Sequence, residues 1–158
     1  MLRLVITGFL VGGILLGCAS TPRYTSSHDE NVTINVDVDG GGLFTSVDMA
    51  AGVNDLDADC QPHYRGAVEL SPGANPIGLA PGVLTYLMVD IAYSRPGASS
   101  NFGRGTVLRP MPGKQYEVDI AYHDNMYDFR LFEVSGSKRQ EMQRLSLDEG
   151  CRRETVQR

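Results

Sequence analysis

KQYEVDIAYHDNMYDFRLFEV, residues Lys114–Val134, is the stretch that decides the fold. Tyr116, Val118, Ile120 and Tyr122 alternate with Glu117, Asp119 and Ala121, and Tyr127, Phe129 and Leu131 alternate with Asp128 and Arg130. A period of two places successive side chains on opposite faces, which is the signature of a half-buried strand. His123–Asp124–Asn125 lies between the two runs, and these are ordinary turn formers. The segment is therefore expected to be a β-hairpin, with an aromatic and aliphatic face turned inward and a polar face turned outward.

Toward the amino terminus, Pro110–Lys114 reads as a turn and Thr106–Arg109 as the strand before it. Val83–Ser94 is the longest apolar run and alternates Leu87, Val89, Ile91 and Tyr93, so a long strand is expected, ended by Arg95–Pro96–Gly97. Val32, Ile34, Val36 and Val38 mark another, broken by Gly40–Gly41–Gly42, with a short return strand over Leu43–Val47. Gly66–Leu70 reads as a short strand. Residues 49–63, rich in Asp, Ala and Gly, read as a long loop, and the Pro/Gly-rich 71–82 as a connection. Ser137–Leu147 satisfies neither period cleanly and stays open between helix and strand. Strands at turn-spaced intervals, in a chain with 18 Gly and 8 Pro, predict an all-β fold, an antiparallel β-sandwich of about seven strands.

Within Leu108–Val134, the turn Pro112–Gly113–Lys114–Gln115–Tyr116 resembles one that opens a late strand in small extracellular β-sandwich domains of the transthyretin-like or immunoglobulin-like kind. The resemblance agrees with the architecture and implies no activity.

The amino terminus carries the location signal. Arg3 is followed by thirteen uncharged residues, Leu4–Leu16, and then by the small residues Gly17, Cys18, Ala19 and Ser20. A membrane-spanning helix needs roughly twenty apolar residues, so the run is short for an anchor and right for a cleaved export signal. Leu15–Leu16–Gly17–Cys18 resembles the lipobox of bacterial lipoproteins. The resemblance implies a signal peptide over 1–17, lipid on Cys18, and attachment through several acyl chains, which hold far more firmly than one. Ala19 and Ser20, with no Asp beside the Cys, resemble the outer-membrane class of such proteins. Residues 18–30 are expected to be the lipidated Cys and a flexible tether, 31–151 the sandwich, and 152–158 a basic, solvated tail.

Removing residues 1–17 takes away Arg3 and no acid, leaving 13 Lys and Arg against 19 Asp and Glu, a formal charge of −6 over 141 residues. That suits one domain and gives no electrostatic reason to bind nucleic acid. With Cys18 lipidated, Cys60 and Cys151 remain as a pair in an oxidising compartment. A disulfide is expected, worth roughly 4–5 kcal/mol for a loop of this length. A catalytic thiol or metal ligand is the other reading, but neither Cys sits in a CxxC pair or beside a His.

Asp55, Asp57 and Asp59 have the alternate spacing of a calcium loop, yet the sixth and twelfth positions hold Cys60 and Gly66 instead of Gly and Glu. A solvated acidic loop is expected there, with no metal and no cofactor. His28, His63 and His123 show no zinc spacing, and no nucleophile elbow occurs. The glycines at 40–42 and 103–105 match no phosphate loop and read as turns or bulges. Tyr86, Tyr93, Tyr116, Tyr122 and Tyr127 are expected in core or cross-strand packing. The reading that follows is non-enzymatic: a lipid-anchored envelope protein facing the periplasm, binding or supporting another envelope component. The alternative is ligand or ion binding, or enzyme inhibition, through loops 49–63 and 71–82.

Overall fold

The computed structural model describes residues 21–38, 46–123 and 126–156. The expected signal peptide, Cys18 with Ala19 and Ser20, the expected break at Gly40–Gly42, the first residues of the expected return strand, Asp124 and Asn125 of the expected turn, and Arg158 lie outside the described residues.

Among the described residues, nine strands and one helix follow in order: β1 (Val32–Val38), β2 (Ser46–Leu56), β3 (Pro62–Leu70), β4 (Gly73–Ile77), β5 (Thr85–Arg95), β6 (Ala98–Leu108), β7 (Gln115–His123), β8 (Met126–Ser135), β9 (Lys138–Met142) and α1 (Leu147–Val156). They form a sandwich of two sheets, β4-β1-β7-β8-β9 and β3-β2-β5-β6. The core between them is the alternating apolar set: Ile34, Leu87, Val89, Val118, Ile120 and Leu131 are all but sealed from water. The expected hairpin is β7–β8, with Tyr116 opposite Glu133 and His123 opposite Met126.

Four expectations change. β1 pairs with β7 in parallel, Val32 opposite Tyr116, so the sandwich is not purely antiparallel. Alternation reveals a strand but not its direction relative to a distant partner. Residues 49–63 are not a loop. They contain most of β2 and the start of β3, joined by a tight turn. Met49, Ala51 and Val53 face the core while Asp48, Ala50 and Gly52 face out, so the period of two is present but written in small side chains. Residues 71–82 likewise contain β4, an edge strand in which Pro76 lies opposite Thr33. Proline is tolerated there because an edge strand need not donate outward. Ser137–Leu147, left open between helix and strand by the sequence, divides into β9 and the entry to α1.

α1 also replaces the expected free tail, running through Arg152 and Arg153. Ser146 and Glu149 cap it reciprocally: the Ser146 N–H and hydroxyl donate to the Glu149 carboxylate at 3.0 and 2.7 Å, and Glu149 N–H donates to Ser146 Oγ at 3.4 Å. These bonds hold the Glu149 carboxyl below its usual value. The helix packs on the outer face of β6, where Leu56, Leu84 and Val107 form a second small core with Tyr86, Leu145, Leu147 and Cys151.

Candidate functional site

Cys60 and Cys151 are joined in a disulfide, with Cα atoms 5.9 Å apart across 91 residues of chain. Asp57 builds the turn that presents Cys60. Its Oδ1 accepts from the N–H groups of Asp59 and Gln61 at 2.9 and 2.8 Å, and its backbone carbonyl accepts from Cys60 N–H at 3.1 Å. Cys60 itself adopts φ 60°, the left-handed conformation a tight turn requires. Oδ2 of Asp57 lies 2.8 Å from His63 Nε2, and the histidine, ahead of the backbone bonds, holds the Asp57 carboxyl below its usual range. Asp55 sits on β2 and pairs with Arg65 at 3.3 Å. The three aspartates therefore serve separate structural ends and do not converge. Among the described residues, no group of three or more His, Cys, Asp or Glu side chains is placed to hold a metal ion.

The histidines are dispersed. His28 N–H donates to Ser26 Oγ at 2.9 Å, and His123 lies 3.4 Å from Asp37 at the hairpin end of the other sheet. Tyr93, Tyr122 and Tyr127 pack between the sheets, with Tyr93–Tyr122 ring centroids 6.1 Å apart and Phe102 5.5 Å from Tyr122. Tyr116 is buried. Tyr86 points outward and lies across Gly105, where an added Cβ would come within 2.6 Å of its ring. Gly103 and Gly105 are thus neither turn nor bulge; they belong to β6 and admit the side chains of β5.

Among the described residues, a recess lies on the outer face of β3-β2-β5-β6, beyond the part that α1 covers. It encloses about 620 Å³ and is lined by Asp48, Ala50, Glu69, Asp90, Ala92 and Asn101 among others. The register explains its form. Glu69, Ala50, Asp90 and Gly103 stand opposite one another across four strands, and Asp48, Ala92 and Asn101 form the next row. Small residues at the centre leave a concavity, and three carboxylates ring it. Burial raises the Asp90 carboxyl above its usual value. No ion pair among the described residues engages Asp48, Glu69 or Asp90. The opposite sheet differs: there Arg139 reaches Glu117 at 2.7 Å and Asp119 at 2.8 Å while lying over Phe132. One outer face neutralises itself; the other presents uncompensated charge in a hollow.

Sequence reasoning missed this recess because Ala50, in its floor, was read as loop. The signal that could have found it is the alternation of Asp48, Ala50 and Gly52 against Met49, Ala51 and Val53.

No protein-family model matches the chain, and neither a curated protein nor a solved structure matches it.

Proposed function

We propose that this chain is a non-enzymatic, lipid-anchored protein of the bacterial envelope, attached through Cys18, that binds another envelope component. The carrying observation is the amino-terminal series Arg3, Leu4–Leu16 and Leu15–Leu16–Gly17–Cys18. The Cys60–Cys151 disulfide supports it, because such bonds persist in oxidising compartments outside the cytoplasm. Retention at the outer membrane, facing the periplasm, rests on Ala19 and Ser20.

The recess is the surface offered to the partner. A hollow with Asp48, Glu69 and Asp90 on its rim and alanine in its floor accepts a lysine or arginine side chain from a basic segment. Its volume also falls within the range of about 300–1,000 Å³ found for small-molecule sites, which favours a small cationic ligand as the second reading. Either reading puts binding on this sheet face, to which Met49 and Ala50 of segment 49–63 and Ser71 of segment 71–82 contribute.

The test is crosslinking of the lipidated protein in its native membrane, with and without Asp90→Lys. An abundant protein captured by the wild type and lost with the variant supports the reading. A partner captured equally by both would move binding away from the recess. Recovery of the protein alone would shift weight to the small ligand. In parallel, Cys18→Ala should abolish membrane attachment, and normal attachment of that variant would overturn the anchor.

A further inference from the structure

The stretch after Cys18, expected to be a free tether, is docked from Pro22 onward. Arg23 stands opposite Ala67 in a parallel bridge at the outer edge of β3. Tyr24 N–H donates to the Ala67 carbonyl at 2.8 Å, and Ala67 N–H donates to the Pro22 carbonyl at 2.9 Å. The Tyr24 hydroxyl then donates to the Gly78 carbonyl at 2.7 Å. Two glycines accommodate the passage. At Gly66, with φ +134°, a Cβ would come within 2.6 Å of the Tyr24 backbone, and at Gly78 it would collide with the His28 carbonyl. The chain was built to let this segment lie against it.

We infer that residues 22–24 act as a strap that holds the β3 edge of the sandwich against the lipid surface, so that the domain has one pose on the membrane. The inference rests on lipidation of Cys18 and deepens that reading. Chain length makes the argument. A free tether from Cys18 to Asn31 could span about 45 Å, enough for the domain to tumble, at 3.3–3.6 Å per residue. With Arg23 fixed opposite Ala67, only five residues separate the lipid from the domain, about 18 Å at most. The eleven-residue strands β2, β5 and β6 are about 35 Å long. A leash shorter than the body it holds restricts which side can face the anchor.

The side so presented suits headgroups. Arg23 is exposed, Tyr64 is 48% exposed, and the exposed Arg65 pairs with Asp55. Tyrosine and arginine are the side chains that place an apolar body near lipid and a polar tip in the headgroup layer. β3 and the strap run parallel, so the anchored end of the strap lies toward Arg65 and Tyr64, not toward Glu69 and the recess. The recess then stays open to a partner standing on the same membrane.

The chain has no tryptophan, so a single introduced one reports alone. The experiment uses full-length lipidated Tyr64→Trp and, separately, Met126→Trp in vesicles of phosphatidylethanolamine and phosphatidylglycerol carrying a headgroup nitroxide. Met126 is 70% exposed and sits at the tip of the β7–β8 hairpin in the other sheet. The expected result is fluorescence quenched several-fold more strongly in Tyr64→Trp. A long Gly/Ser insertion after Ser20, which disturbs no described contact, should abolish that contrast. Equal quenching at the two positions, or a contrast that survives the insertion, would overturn the strap. Flotation separates the two levels of inference: protein that fails to float with the vesicles overturns the anchoring reading, whereas floating protein with equal quenching overturns the pose alone.

Discussion

One side-chain amide, that of Asn31, satisfies both backbone groups of Leu79: Nδ2 donates to the Leu79 carbonyl at 2.8 Å and Oδ1 accepts from its N–H at 2.8 Å. The two residues are 48 apart in sequence, and Asn31 is 7% exposed. The amide continues the β1–β4 ladder past Ile77, next to Gly78, over which Ser26, His28 and Asp29 pass. Asn31 N–H also donates to Ile77 and its carbonyl accepts from Tyr116 N–H, so one residue joins β4, β1 and β7.

Asn31→Ala should therefore cost more than an average substitution. It strands a donor and an acceptor on a residue that is 1% exposed. A loss of about 2–4 kcal/mol is expected, read as a lower urea midpoint at unchanged slope. A loss below about 0.5 kcal/mol would mean that water replaces the amide.

Replacing Cys60 and Cys151 together by Ala should lower stability by about 4–5 kcal/mol, because the closed loop of 91 residues restricts the unfolded chain. The loss has a place as well as a size. Gly150 abuts Val107 so closely that no side chain fits between them, and this contact of α1 is registered by the adjacent disulfide. Amide exchange should consequently rise in α1 before it rises in β5. Uniform acceleration would show instead that α1 and the sandwich unfold as one unit.

Tyr127→Phe should leave stability unchanged or raise it by up to about 1 kcal/mol. The hydroxyl of Tyr127 is buried without a hydrogen-bond partner, and burial raises its pKa well above the usual phenol value. The ring is held by other means: Phe102 lies 5.7 Å away and the Arg104 guanidinium 5.3 Å from its centroid. Both contacts survive the substitution, so a clear fall in melting temperature would count against this account.

Asp90→Asn should stabilise the protein at neutral pH. Burial raises the Asp90 carboxyl above the ordinary value of 3.8, so the folded state holds its proton more tightly than the unfolded state. Ionisation is therefore a penalty on folding that is present above the folded-state pKa and fades as pH falls toward the unfolded value. The gain from Asn should be small, since the group is largely exposed, and should vanish below about pH 3.8. Urea titrations of both proteins at pH 7 and pH 3 measure it.

Much of this protein was legible in its residues. Wherever the inward side chains are large, as in Val32–Val38, Val83–Ser94 and Tyr116–Leu131, alternation located the strand and named its buried face. The disulfide was expected once Cys18 was set aside as the lipidation site. β2 was hidden because Ala50, Ala51 and Gly52 carry too little apolar surface to show a period. β4 was hidden because Pro76 and Gly73 are loop residues unless an edge strand excuses them. The cap of α1 was visible as Ser146-Leu147-Asp148-Glu149 and went unread, since no strong apolar period followed it.

By itself, the sequence determined the all-β class and the part of the core built from large alternating side chains, because each depends on local period or on composition. Only the tertiary structure decided that β1 lies parallel to β7, that Asp48, Glu69 and Asp90 surround one hollow, and that residues 22–24 lie along β3. The physical reason is range. Local order follows from backbone geometry and neighbouring side chains, whereas these three features depend on which distant segments share a sheet, and no short-range pattern encodes that choice.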